Sequence, residues 1–178
     1  MTQFLTRLMA ILALFTLITG ALSVSPTYAS ATLKSDLPVV NYPDDRSLAL
    51  ATYLESHRSP LARYADVFVQ VADKYQLDWK LLPAIAGTES TFAKHYVLGT
   101  YNAYGWGGGY IPLVSWENSI GTISASLRQK YLDKGAITPE QIGRIWAPPS
   151  RTWASHVHYF MNQIDAEYRT QRFLTLSL

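Results

Sequence analysis

The sequence predicts a mainly helical domain with one small glycine- and aromatic-rich lobe inserted mid-chain. Three observations carry that expectation. From about residue 45 onward, apolar residues recur at three- and four-residue intervals, the spacing of one helix face. No stretch alternates apolar and polar residues as a half-buried strand would. Between Gly99 and Pro112 the helical pattern stops, and five glycines stand among Tyr101, Tyr104, Trp106 and Tyr110.

Asp44-Asp45 is placed to cap a first helix running through Glu55. Ser59-Pro60 reads as the next helix start, with Ser as cap and Pro in the first turn. Leu61, Tyr64, Ala65, Phe68, Ala72 and Tyr75 then share one face. Asp78 is the expected cap of a helix from Trp79 to about Ser90, which tolerates Pro83 near its start. After the lobe, Trp116, Ile120, Ile123, Leu127 and Tyr131 form a stripe that ends near Gly135. Thr138-Pro139-Glu140-Gln141 has the form of a capping box with Pro at the first helical position. Ala147-Pro148-Pro149 stops that short helix. Ser150 is expected to cap the last one, whose stripe is Trp153, Val157, Phe160, Met161, Ile164 and Tyr168.

Residues 1–31 read as a secretory signal peptide. Arg7 is the only charge before Lys34, and the apolar run from Leu8 to Ile18 is shorter than the roughly 20 residues a bilayer span needs. Ala29 and Ala31 each suit a cleavage site, and an uncleaved anchor is the alternative. Either outcome puts the domain beyond the cytoplasmic membrane, secreted or in the cell envelope. Cleavage removes one Arg and leaves no membrane attachment. Residues 32–57 then form an N-terminal arm and first helix, and residues 58–178 the main domain.

Hydrophobic residues make up 48% of the chain and charged residues 16%, a globular composition and not a disordered one. A formal charge of +2 gives no case for nucleic acid, which calls for a strong basic stripe. Absence of cysteine excludes disulfides, thiol nucleophiles and Cys-type zinc sites. His57, His95, His156 and His158 stand in no metal-binding spacing, and no G-x-S-x-G elbow occurs. Gly105 to Gly109 lack the Lys-Ser/Thr of a phosphate loop. No cofactor and no metal are expected, and a monomer is.

What remains is a carboxylate. Glu89 closes a helix whose body, Leu81, Leu82, Ala84, Ile85 and Ala86, is apolar on nearly every side. Such a helix is buried, so a Glu at its end emerges from the core at a cleft, and a half-dry carboxyl at a helix C-terminus suits general-acid chemistry. An ordinary surface Glu is the competing account. The lobe follows directly, so acid and aromatic rings face each other. Tyr101, Tyr104, Trp106 and Tyr110 are either sugar-stacking platforms or the lobe's own small core. Asn102 either bonds a ligand or fixes a turn. Gly105 and its neighbours let a glycan approach the backbone. Trp146, beside Pro148-Pro149, is expected on the cleft floor, and Trp116 and Trp153 in the core.

Taken in order, ESTFAKHY from Glu89, YNAYGWGG from Tyr101 and SWENSI from Ser115 resemble the successive motifs of bacterial N-acetylglucosaminidases of the lysozyme-like superfamily (the mannosyl-glycoprotein endo-β-N-acetylglucosaminidase-like domain). These are related to soluble lytic transglycosylases. The similarity continues through Trp146 to Ser150 and the helix from Trp153, covering about residues 58–166. The resemblance implies a lysozyme-like domain, peptidoglycan glycan strands as substrate, Glu89 as catalytic acid, and a substrate lobe opened by Asn102 to Gly105. The transglycosylase G-L-M-Q turn is absent, with Tyr104-Gly105-Trp106-Gly107 in its place, which counts toward the glucosaminidase side. Glu117 is the nearest candidate for a second carboxylate, though a Glu in a first helical turn is also an ordinary dipole partner. The expected activity is cleavage of β-1,4 links between N-acetylglucosamine and N-acetylmuramic acid. A lytic reaction giving 1,6-anhydro products, and a non-catalytic wall-binding domain, are the alternatives.

Overall fold

The computed structural model describes residues 44–177. The signal peptide expected over residues 1–31 and the arm expected over 32–43 lie outside the described residues. Among these residues the chain is mainly helical, with six α-helices, two 3-10 turns and no strand.

Helix α1 (Asp45–Ser56) is capped by the Asp44 carboxylate, which accepts from the Arg46 N–H at 2.7 Å. The helix expected to start at Ser59-Pro60 does not. A 3-10 turn (Ala62–Tyr64) comes first, and α2 spans Ala65–Tyr75. The Ser59 hydroxyl is committed elsewhere: it accepts from Leu61 N–H (3.0 Å) and donates to the Phe92 carbonyl (2.9 Å), tying this corner to the segment after α3. Helix α3 (Leu81–Ser90) also begins two residues later than the sequence suggests. Asp78 folds Trp79 and Lys80 into a turn, its carboxylate accepting from Lys80 N–H and its carbonyl from Leu81 N–H, both at 2.9 Å.

Helix α4 (Trp116–Lys130) is capped by Ser115, whose hydroxyl accepts from Asn118 N–H, and runs into the 3-10 turn Leu132–Lys134. Helix α5 (Pro139–Trp146) opens with the capping box: Thr138 and Gln141 each accept the other's backbone N–H. Helix α6 (Trp153–Leu176) starts where the Ser150 hydroxyl accepts from Trp153 N–H at 3.1 Å.

Helix α6 is the central post. α1, α3 and α5 pack along it, and α2 packs on α1 and α4. α3 is buried from Leu81 through Gly87, as a helix with no polar face must be. Each fully buried Leu or Ile contributes about 1.5–3 kcal/mol of transfer free energy. Leu50 and Leu54 of α1 are fully buried in the same core as Ile85, Ile120 and Ile164. The first helix therefore shares its core with the helices that follow. Among the described residues, no helix is long and apolar enough to cross a membrane.

Candidate active site

Glu89 is the penultimate residue of α3 and is half-buried. Directly after the helix, Thr91, Phe92 and Ala93 all take left-handed backbone conformations, with φ of 52°, 60° and 61°. Each costs a non-glycine residue on the order of 1 kcal/mol, so the turn persists only because its surroundings hold it. Phe92 N–H bonds back to the Ala86 carbonyl (3.0 Å), and the Phe92 carbonyl accepts from Ser59. The Ser90 hydroxyl accepts from Ala93 N–H (2.8 Å) and donates to the Ala103 carbonyl of the lobe (2.8 Å), with the Ala86 carbonyl at 3.0 Å as alternative acceptor. This reversal brings the lobe back over Glu89.

Asn102 organises the lobe. Its side chain is 2% exposed, its amide N–H groups donate to the carbonyls of Trp106 (2.8 Å) and Ile111 (3.2 Å), and its Oδ1 accepts from Trp106 N–H (3.1 Å). Of the two roles open to it, the turn-fixing one is occupied. Its residue borders the groove, but its amide is spent on the backbone. Tyr104 corrects the sequence expectation more sharply. It is 0% exposed, packed into the core beneath the lobe, and is not a sugar platform. Burial pushes its phenol well above the ordinary tyrosine value. Tyr101 is exposed and stands edge-on to Trp116, with centroids 5.3 Å apart, and does not border the groove.

The Glu89 carboxyl is held through one oxygen. The indole N–H of Trp153 donates to Oε1 at 2.7 Å and that of Trp146 at 3.1 Å. The other oxygen, Oε2, faces Gly105, where φ is +63° and an added Cβ would lie 2.7 Å from it. Trp146 in turn lies against Trp106 (5.1 Å), Tyr131 (5.7 Å) and Trp153 (6.2 Å) in tilted ring pairs.

Two open hollows meet at Gly105 and Gly108 and form one groove with two arms. The first arm, about 570 Å³, is bordered by Glu89, Ser90, His95, Tyr96, Val97 and Asn102. The second, about 450 Å³, is bordered by Trp106, Ile111, Tyr131 and Trp146. Glu89 is the one carboxylate among the residues bordering either arm. Glu117 is not among them. It is fully exposed in the first turn of α4, and its carboxyl is held below the usual range by its own backbone N–H and by Ser115. Among the described residues no cluster of His, Asp and Glu could hold a metal ion.

Sequence reasoning missed residues of the site, Trp153, Tyr131 and His95 among them. Trp153 sits on the α6 stripe and is 4% exposed, as a core tryptophan would be, yet its N–H reaches the carboxyl. Tyr131 closes the α4 stripe but also borders the second arm, and burial raises its phenol above the ordinary value. His95 borders the first arm. The spacing of Trp146 and Trp153 carried the only available signal, two indoles bracketing a Pro-Pro turn. No protein-family model matches the chain, and no curated protein matches its sequence.

Proposed function

We propose that the domain is a lysozyme-like exported glycosidase that cuts β-1,4 links between N-acetylglucosamine and N-acetylmuramic acid in peptidoglycan, with Glu89 as general acid. One observation carries the reading: two indole N–H groups hold Oε1 of Glu89 and leave Oε2 free at the meeting point of a two-armed groove. A glycan strand is linear, and hydrolysis needs sugars bound on both sides of one acid. Indole and phenol rings along the second arm match the apolar faces of pyranose rings.

In this reading the proton on Oε2 passes to the glycosidic oxygen as the C1–O bond breaks. Glycosidases commonly use a second carboxylate as base or nucleophile. None borders this groove among the described residues. The developing charge at C1 is therefore met by the substrate's own 2-acetamido oxygen. Water then opens that ring, and Glu89 takes the proton that water gives up. Export follows from the signal read in residues 1–31.

The test is release of muropeptides from purified peptidoglycan by the wild-type protein and by Glu89→Gln, with product masses recorded. The expected result is release by the wild type alone, each product carrying one added water. Products without added water make the enzyme a lytic transglycosylase. Equal glycan binding by both proteins with no release makes the domain a wall-binding module and overturns the catalytic reading.

A further inference from the structure

The two arms differ in charge as well as lining. The first holds the groove's one carboxylate. The second holds none, and beside it lies a cation: Lys130 Nζ sits 5.4 Å from the centroid of the Trp106 ring, one of the walls of that arm. Lys130 ends α4 and is exposed, and Tyr131, the next residue, borders the same arm. Arg128, two residues earlier, is neutralised by Asp133 at 3.3 Å. Lys130 has no carboxylate within ion-pair distance among the described residues. It is therefore an ammonium with no carboxylate partner, set against an aromatic wall of the second arm.

We infer that Lys130 is a specificity residue that recognises an anionic substituent on the sugar bound in the second arm. An indole–phenol wall takes the apolar face of a pyranose, and an ammonium at its rim takes a carboxylate projecting from that ring. The first arm, with Glu89 at its mouth and no Lys or Arg among its bordering residues, takes the neutral sugar. This rests on the proposed function and deepens it, because it assigns the carboxylate-bearing N-acetylmuramic acid to the Trp106–Trp146 arm and N-acetylglucosamine to the Glu89–Asn102 arm. An exposed ion pair supplies a few-fold preference that salt weakens.

The test uses the full domain carrying Glu89→Gln, so that bound glycan is not consumed. Binding of an alternating N-acetylglucosamine–N-acetylmuramic acid tetrasaccharide is measured by calorimetry. The same tetrasaccharide with its lactyl carboxyls reduced to alcohols is measured beside it. The expected affinity ratio favours the carboxylate form about two- to fivefold at low salt. It falls to about one in Lys130→Met, returns in Lys130→Arg, and shrinks in 0.5 M salt as charge screening requires. A ratio near one in the Lys130 protein, with both glycans bound, overturns the inference and leaves the glycosidase reading standing. So does a ratio that survives Lys130→Met. Binding of neither glycan, together with no release from peptidoglycan by the wild type, sinks both.

Discussion

Trp153 donates its indole N–H to Oε1 of Glu89 at 2.7 Å, joining the first residue of α6 to the next-to-last residue of α3. That part-buried hydrogen bond occupies Oε1 and so fixes which oxygen faces the groove. Replacing Trp153 by Phe keeps an aromatic ring but removes the donor and leaves a gap. Stability should fall by about 1–3 kcal/mol in urea unfolding. The turnover number should fall about 10- to 100-fold with little change in KM, because a misplaced acid costs rate and not binding. A change in KM alone would show that Trp153 acts on substrate binding and not on the acid.

Gly143 sets where that tryptophan can lie. It is buried in α5, and a Cβ there would stand 2.8 Å from Cε3 of Trp153. An alanine normally helps a helix interior by about 1 kcal/mol over glycine. In Gly143→Ala the clash should outweigh that gain, leaving a net loss of about 1–2 kcal/mol. The Trp153 ring must shift, so activity should drop alongside a change in tryptophan fluorescence. A variant more stable than wild type with unchanged emission would show that the ring has room to spare.

Helical class, the lobe and the placement of Glu89 were all legible because each depends on nearby residues. An apolar run followed by Glu and a glycine-rich segment is a local pattern, and α3 obeys it. Helix starts were less legible. Ser59 has the chemistry of a cap, but its hydroxyl serves Phe92, 33 residues away in sequence. Tyr104 and Trp106 defeat local reading for a similar reason. They lie two residues apart in one glycine-rich stretch, yet one is sealed under the lobe and the other walls the groove. Which ring goes where is decided by α4 and α5 packing against the lobe from outside it. Trp153 resembles core from its periodicity, and only the approach of α6 to α3 shows where its N–H points.

Gly105 separates catalysis from folding more cleanly than any tryptophan. Its φ of +63° suits glycine, and its missing side chain leaves Oε2 of Glu89 open. Gly105→Ala pays a left-handed penalty of about 1 kcal/mol, which a domain with this core tolerates. Its methyl carbon would also sit 2.7 Å from Oε2, where the glycosidic oxygen must come. Release of muropeptides should fall at least about 100-fold while the urea midpoint moves little. Near-normal release from a folded Gly105→Ala protein would mean that the proton leaves by another route, and Oε2 would lose its assigned role.

Away from the groove, Arg46 fastens α1 to α2. Its guanidinium reaches the Asp44 carboxylate (2.6 Å) and takes both oxygens of Asp73 (2.8 Å each). Hydrogen bonds from Arg46 are the largest reason both carboxyls lie below the ordinary aspartate value of 3.8. A carboxyl whose folded value is depressed stabilises the fold fully above its unfolded value, and that contribution disappears as pH falls through the folded one. Both carboxylates are partly exposed, so solvent screening limits the network to about 0.5–1 kcal/mol. Arg46→Met should therefore be less stable than wild type by about that amount at neutral pH. The gap should hold down to about pH 5 and close by about pH 2, once both carboxyls are protonated. Urea unfolding of the two proteins across this range checks it, and a gap that stays constant to pH 2 would assign the effect of Arg46 to packing of its aliphatic stem.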